Sequence, residues 1–347
     1  MSINTNLINW WLEKDPFMPD ELSKIKSGRS ANQIFSSDAK IFDSYTDHIV
    51  SLLPFCNISS NDYTVRFDVS LTAIIKKIFE QHVDDKTLII ATEREHFSAS
   101  DIIEKCKNVY LLSHEKEIRK NNVAGALVAA ECYDKVFLYI IGTQKGSGEI
   151  TPQAPIERLI KSLKFQGKEV VAVSDDVHGW FFTPRDYSCY DYILHTAHSL
   201  ATFFDLGVCI QKKNGIIVGE PIENWPKQWF ETITPFVARK NKLLMFYKVM
   251  TEACFDMFAS YNIDFVTYNN DNFFTLRFPK AANDIITQEE IKTLEHYQFY
   301  FDKVSGIGDY SYVAARAQQF LVEPEKLIPG VEYLNAVIKR LHKEGVV

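Results

Sequence analysis

Between residues 87 and 218 the chain alternates short β-rich apolar runs with stretches of helical pattern. This alternation restricts the fold more than any other feature. Thr87–Ala91, Val109–Leu112, Val136–Ile141, Val170–Val173, Tyr192–Leu194, Val208–Ile210 and Ile216–Val218 read as strands. Leu71–Phe79, Ser100–Cys106, Glu117–Glu131 and Ile156–Leu163 read as helices. Apolar strands separated by helices imply a mostly parallel sheet of seven-stranded type, covered by helices on both faces, because parallel strands need long crossovers and both their faces are then buried. The expected class is therefore α/β. The long amphipathic stretch Arg239–Tyr261 reads as a connector helix. Residues 262–347 read as a smaller α+β domain, with strands at Phe265–Tyr268 and Phe273–Phe278 and a final helix from about Val331. The expected division is an N-terminal segment 1–60, which holds Trp10-Trp11 and an amphipathic stretch at Ile41–Leu53, a large domain 61–235, and a connector with a small domain 236–347. Open sheets of this kind take ligands at the carboxyl ends of their strands.

Composition narrows the function classes. The 347 residues are 46% hydrophobic, enough for a sizeable core. The net charge of -7 is spread without a basic block, which argues against a nucleic-acid partner. There is no run of 18 apolar residues and no basic-then-apolar start, so no membrane association is expected and a soluble cytoplasmic protein is. The six cysteines show no CxxC pairing and read as reduced thiols, and no metal site is expected.

Chemistry-bearing residues fall where strands end. Asp175 follows the run Val170–Val173, with Asp176 beside it and His178 three residues on. Downstream lies Asp191-Tyr-Ile-Leu-His-Thr196-Ala-His198-Ser199-Leu, and then Gly207-Val-Cys-Ile210. Glu95-His96 follows the run Thr87–Ala91, and Gly148-Glu-Ile-Thr-Pro152 follows Val136–Ile141. In order and spacing these segments resemble the class V aminotransferase and cysteine desulfurase group of fold-type-I pyridoxal-phosphate enzymes. The resemblance covers about residues 60–325. It implies that Asp175 pairs with the ring nitrogen of pyridoxal or pyridoxamine phosphate and keeps the ring an electron sink. His178 would contact the ring hydroxyl. His96 would stack on the ring and exchange protons, and Thr196 and His198 would stand where the family has Ser and His.

The family's next residue is the lysine that holds the cofactor as a Schiff base. Here it is Ser199, which cannot form one. Lys145, in Thr143-Gln-Lys-Gly-Ser-Gly148, is either a surface lysine or a relocated amine at the same cofactor edge. Arg316, in Tyr312-Val-Ala-Ala-Arg316-Ala-Gln-Gln, matches the arginine that clamps a substrate carboxylate, with Arg277 as its competitor. The family's Gly-x-Thr phosphate turn should fall near Phe67-Asp-Val-Ser70-Leu-Thr72. Its glycine is absent, but Ser70 and Thr72 supply hydroxyls ahead of a helix N-terminus.

The resemblance implies a homodimer acting on an amino acid or amine, with a cofactor not bonded at residue 199. A second reading is a catalytically inactive member kept as a binding or partner protein. A third is a lysine replaced by serine to trap a ligand.

Overall fold

The computed structural model describes residues 50, 53–68, 70–92, 97–112, 120–144, 148, 150–179, 185–196, 207–219, 257–258, 260–261, 263–265, 273–302, 310–316 and 326–347. The sequence readings at Trp10-Trp11, on most of Ile41–Leu53, and on all but the last few residues of Arg239–Tyr261 lie outside them. The chain divides into two compact units. One comprises Ala31–Gln144 and Ile150–Val237, the other Met1–Ser30, Lys145–Glu149 and Ala238–Val347.

The first unit is an α/β layer structure. Its strands are β1 (Tyr63–Asp68), β2 (Thr87–Thr92), β3 (Val109–Leu112), β4 (Lys135–Ile141), β5 (Glu169–Asp175), β6 (Tyr192–Thr196) and β7 (Gly207–Lys212). Its helices are α1 (Leu71–His82), α2 (Phe97–Ile103), α3 (Lys120–Ala130) and α4 (Gln153–Phe165). The seven strands form one sheet in the order β1-β7-β6-β5-β4-β2-β3. Strands β6, β5, β4, β2 and β3 are parallel, and β7 runs antiparallel to both β1 and β6.

Side chains alternate between the faces of a strand, and the core follows that period. Phe137 and Tyr139, Val171 and Val173, Tyr192 and Leu194, and Cys209 pack with Ile74, Ile75, Ile78 and Phe79 of α1. The intervening residues Leu138, Ile140, Ala172 and Ile193 are buried on the opposite face, and α4 packs against β5 with Ile156, Leu159, Ile160 and Leu163 buried.

Several expectations are corrected. Ile216–Val218 is not a strand. The place beside β7 is taken by β1, and the 216–218 backbone is bonded by side chains instead: Tyr192 Oη donates to the Ile216 carbonyl (2.7 Å), and Val218 N–H to Gln211 Oε1 (3.1 Å). β1 is an addition to the sequence reading. Its alternation, with Tyr63, Val65 and Phe67 buried and Thr64 and Arg66 between them, is short and ends at Asp68, and it is an edge strand closed only by a distant partner. The helix expected at Ser100–Cys106 starts and ends three residues earlier.

The second unit holds β8 (Asp264–Phe265), β9 (Phe273–Pro279), β10 (Tyr300–Asp302) and β11 (Tyr310–Arg316), which form an antiparallel sheet in the order β10-β11-β9-β8. Helices α5 (Ala282–Ile285), α6 (Gln288–His296) and α7 (Leu327–Lys343) accompany it. Leu327, Val331, Leu334, Ile338 and Leu341 make the buried stripe of α7 at helical spacing. Arg340 donates from Nε and Nη2 to the two carboxylate oxygens of Glu290, tying α7 to α6. Among the described residues no helix is long and apolar enough to cross a membrane.

Candidate functional site

Asp175 is the last residue of β5, and its side chain falls on the α1 face because Val171 and Val173 do. It is 3% exposed. Tyr139 of β4 lies on the same face and donates from Oη to Asp175 Oδ2 at 2.7 Å. The Val177 amide lies 3.5 Å from Oδ1. Burial raises the Asp175 carboxyl to about 6; the Tyr139 and Val177 hydrogen bonds pull it down, and the Asp176 charge pushes it further up.

The register carries this face sideways. Asp175 pairs with Leu194 of β6, and two residues on Thr196 pairs with Gly207 of β7. Thr196 shares the α1 face with Tyr192 and Leu194 and is buried. Gly207 meets the start of α1: a Cβ there would lie 2.6 Å from Leu71 N and 2.7 Å from the Ser70 carbonyl carbon. No other residue lets the helix terminus approach β7 so closely. Ser70 is the N-cap of α1, and its Oγ accepts from Ala73 N–H at 3.2 Å. Thr72 Oγ1 lies 2.8 Å from Ser98 Oγ of α2. The first-turn amides of α1 thus sit two strands away from the Asp175 carboxylate. Two strand spacings are about 10 Å. A buried acid at one end and a helix N-terminus, which favours anions, at the other can hold a flat cationic ring bearing an anionic arm.

Asp176 faces the other way. It is fully buried, its amide bonds the Leu194 carbonyl (3.0 Å), and Thr143 Oγ1 lies 3.4 Å from its Oδ1. Burial pushes its carboxyl up, and the Arg185 charge opposes that. Arg185 is itself buried and donates from Nη2 to the Thr151 carbonyl. A Cβ on Gly142 would fall 2.3 Å from Asp176 Oδ1 and 2.4 Å from Arg185 Nη1.

The first unit therefore brings Asp175, Thr196 and Ser70 to one face and one end of the sheet. His178 lies buried in the turn after β5. His96, Lys145, His198 and Ser199 lie outside the described residues. Arg316 ends β11, not a helix, and its side chain is also outside them. In the register of the second sheet Arg316 pairs with Phe273 and Arg277 with Tyr312. Tyr139, Arg185 and Thr143 were missed in the sequence. The signal for Tyr139 was a hydroxyl inside the apolar run of β4, since a buried phenol needs a partner. Among the described residues no cluster of metal-ligating side chains occurs.

No protein-family model matches the sequence, and no curated protein matches it. Solved structures do. A NifS-like protein from Rickettsia africae ESF-5 superimposes with a TM-score of 0.68 at 14% identity, over 94% of this chain and 97% of that one. The cysteine desulfurase CsdA from Escherichia coli gives 0.62 at 12% identity, over 94% and 91%. Oryza sativa TDC, solved with PLP and tryptamine, gives 0.62 at 11% identity, over 89% and 76%. The likeness is one of fold: the mixed seven-stranded sheet with its helices is the α/β fold-type-I architecture.

Proposed function

We propose that the chain is an atypical fold-type-I enzyme that binds pyridoxal or pyridoxamine phosphate without a covalent bond at Ser199 and acts on an amino acid or amine. One observation carries the reading. A buried carboxylate and a helix N-terminus lie on the same face of the sheet, two strands apart, with Thr196 and Gly207 between them. Such a cofactor supplies an electron sink for carbanion chemistry when bound. Asp175 would hold the proton on its ring nitrogen. The α1 amides, with Ser70 and Thr72, would hold the phosphate, and Thr196 and His178 would flank the ring. His96 and Lys145 are the candidates for moving protons, and Arg316 is the candidate for a substrate carboxylate. A homodimer is part of the same reading, since the resemblance implies it.

The serine at 199 and the missing phosphate-turn glycine favour a second reading, a catalytically inactive binding protein. Such a protein would convert no amine, and the turn near Ser70, without its glycine, would no longer hold the cofactor.

The test is fluorescence titration of the protein with pyridoxal and pyridoxamine phosphate. Asp175→Asn is expected to weaken binding by at least 100-fold, since removing one partner of a buried ion pair costs about 3 kcal/mol or more. Asp176→Asn is expected to change it less than 10-fold. Equal effects from the two changes would sink the assignment, and spectral conversion of pyridoxamine phosphate by a 2-oxo acid would rule out the inactive reading.

A further inference from the structure

A buried acid that pairs with a ring nitrogen must present one oxygen and must be ionised when the ring arrives. Neither follows from burial, which favours the neutral acid. Resting on the reading above, we propose that Tyr139 is a positioning residue for that acid: its hydroxyl holds Asp175 Oδ2 from the side of β4, so that Oδ1 is the oxygen left for the ring and the carboxylate form is favoured before any ligand binds.

The geometry is specific. The Tyr139 hydroxyl donates at 2.7 Å to Oδ2, whereas Oδ1 has, among the described residues, the Val177 amide at 3.5 Å. That second contact is long for a hydrogen bond. Tyr139 cannot swing away without disturbing the core. It is fully buried, and its ring lies 5.6 Å from that of Phe79 on α1. Tyr139 and Asp175 sit on neighbouring parallel strands with Tyr139 two residues short of the β5 end in register, opposite Val173. The phenol therefore reaches forward along the sheet to the carboxylate, and a phenylalanine would fill the same space without the bond. Among the described residues the titratable groups acting on Asp175 are this phenol from β4 and Asp176 from the following turn, and they act in opposite directions. The donor favours the anion and the neighbouring anion disfavours it, so removing the donor leaves burial and like charge unopposed on that side.

The experiment uses the full chain without cofactor first. Carboxyl ¹³C NMR of aspartate-labelled protein follows the Asp175 titration in wild type, Tyr139→Phe and Phe79→Leu. Tyr139→Phe is expected to move the Asp175 midpoint upward. Phe79→Leu loosens the same packing without removing a donor, and is expected to lower the melting temperature and leave the midpoint in place. An unmoved midpoint in Tyr139→Phe, or an equal movement in Phe79→Leu, would overturn the inference. Pyridoxal phosphate affinity at pH 7 is then measured for wild type, Tyr139→Phe and Asp175→Asn. Tyr139→Phe is expected to bind about 10-fold more weakly, the size of a hydrogen bond to a charged group. Loss in Asp175→Asn with none in Tyr139→Phe overturns this inference alone. Equal affinity in wild type and Asp175→Asn overturns the functional reading and this inference with it.

Discussion

Asp175 and Asp176 are neighbours in sequence and share a residue type, yet they stand in different surroundings because the backbone turns them to opposite faces. On the α1 face, Asp175 has, among the described residues, one strong donor, with a helix N-terminus two strands away and a carboxyl held near 6 by burial. On the other face, Asp176 is enclosed by Thr143, the Arg185 charge and Gly142, and it joins the turn after β5 to the segment that includes Thr143 and Thr151. Both carboxylates keep acceptor capacity, Asp176 at its buried Oδ2 among the described residues, so what suits Asp175 to a ligand is the helix N-terminus on its own face. A carboxylate surrounded by fixed protein groups is suited to bracing. The difference is not visible in the dipeptide, only in what each face packs against.

The comparison breaks first at the brace. Arg185→Met removes the compensating charge from a buried acid and the donor from the Thr151 carbonyl, and is expected to destabilise the protein by about 4 kcal/mol in urea denaturation. Adding Asp176→Asn to that variant should recover a large part of the loss, since a buried charge is harmful chiefly when its partner is gone. No recovery would mean that Asp176 is not what Arg185 serves.

Asp175 should behave in the reverse sense. Its carboxyl is raised from 3.8 to about 6 in the folded protein. The folded state therefore binds the proton more tightly. The stability this group contributes is fully present below pH 3.8 and is lost as pH rises through 6. Asp175→Asn should leave stability at pH 3.5 nearly unchanged and raise that of the cofactor-free protein at pH 7 by about 3 kcal/mol, while weakening cofactor binding. A variant less stable than wild type at pH 7 would show that Asp175, like Asp176, is a structural acid.

The smallest expected effect lies at the helix terminus. Gly207→Ala places a methyl against Ser70 and Leu71 and should cost about 2 kcal/mol by overpacking. Because it shifts the α1 amides, it should also lower pyridoxal phosphate affinity. Gly215→Ala is the control, as its nearest neighbour would be the Lys212 carbonyl at 3.5 Å. Equal affinity in both variants would separate the α1 N-terminus from the ligand.

Much of the first unit was legible because its signals are local. Apolar runs such as Val136–Ile141 and helical periods such as Leu71–Phe79 are written over a few consecutive residues, and burial on both faces follows from them. Order along the chain also placed Asp175 at a strand end and Ser70 ahead of a helix. What the sequence could not express is what depends on partners far away. The place of β1 beside β7, which displaced the expected strand at Ile216–Val218, depends on residues separated by well over a hundred positions. So does the seat of Ser70 on Gly207. The grip of Tyr139 on Asp175 and the approach of Arg185 to Asp176 span shorter stretches of chain, but they too are set by the pairing of strands and not by local pattern. Residue type and spacing determined that an acid, a hydroxyl and a helix start would exist. Only the packing of strands in their tertiary order decided which acid shares a face with which helix, because a side chain's face is set by its strand and its neighbours by the whole sheet.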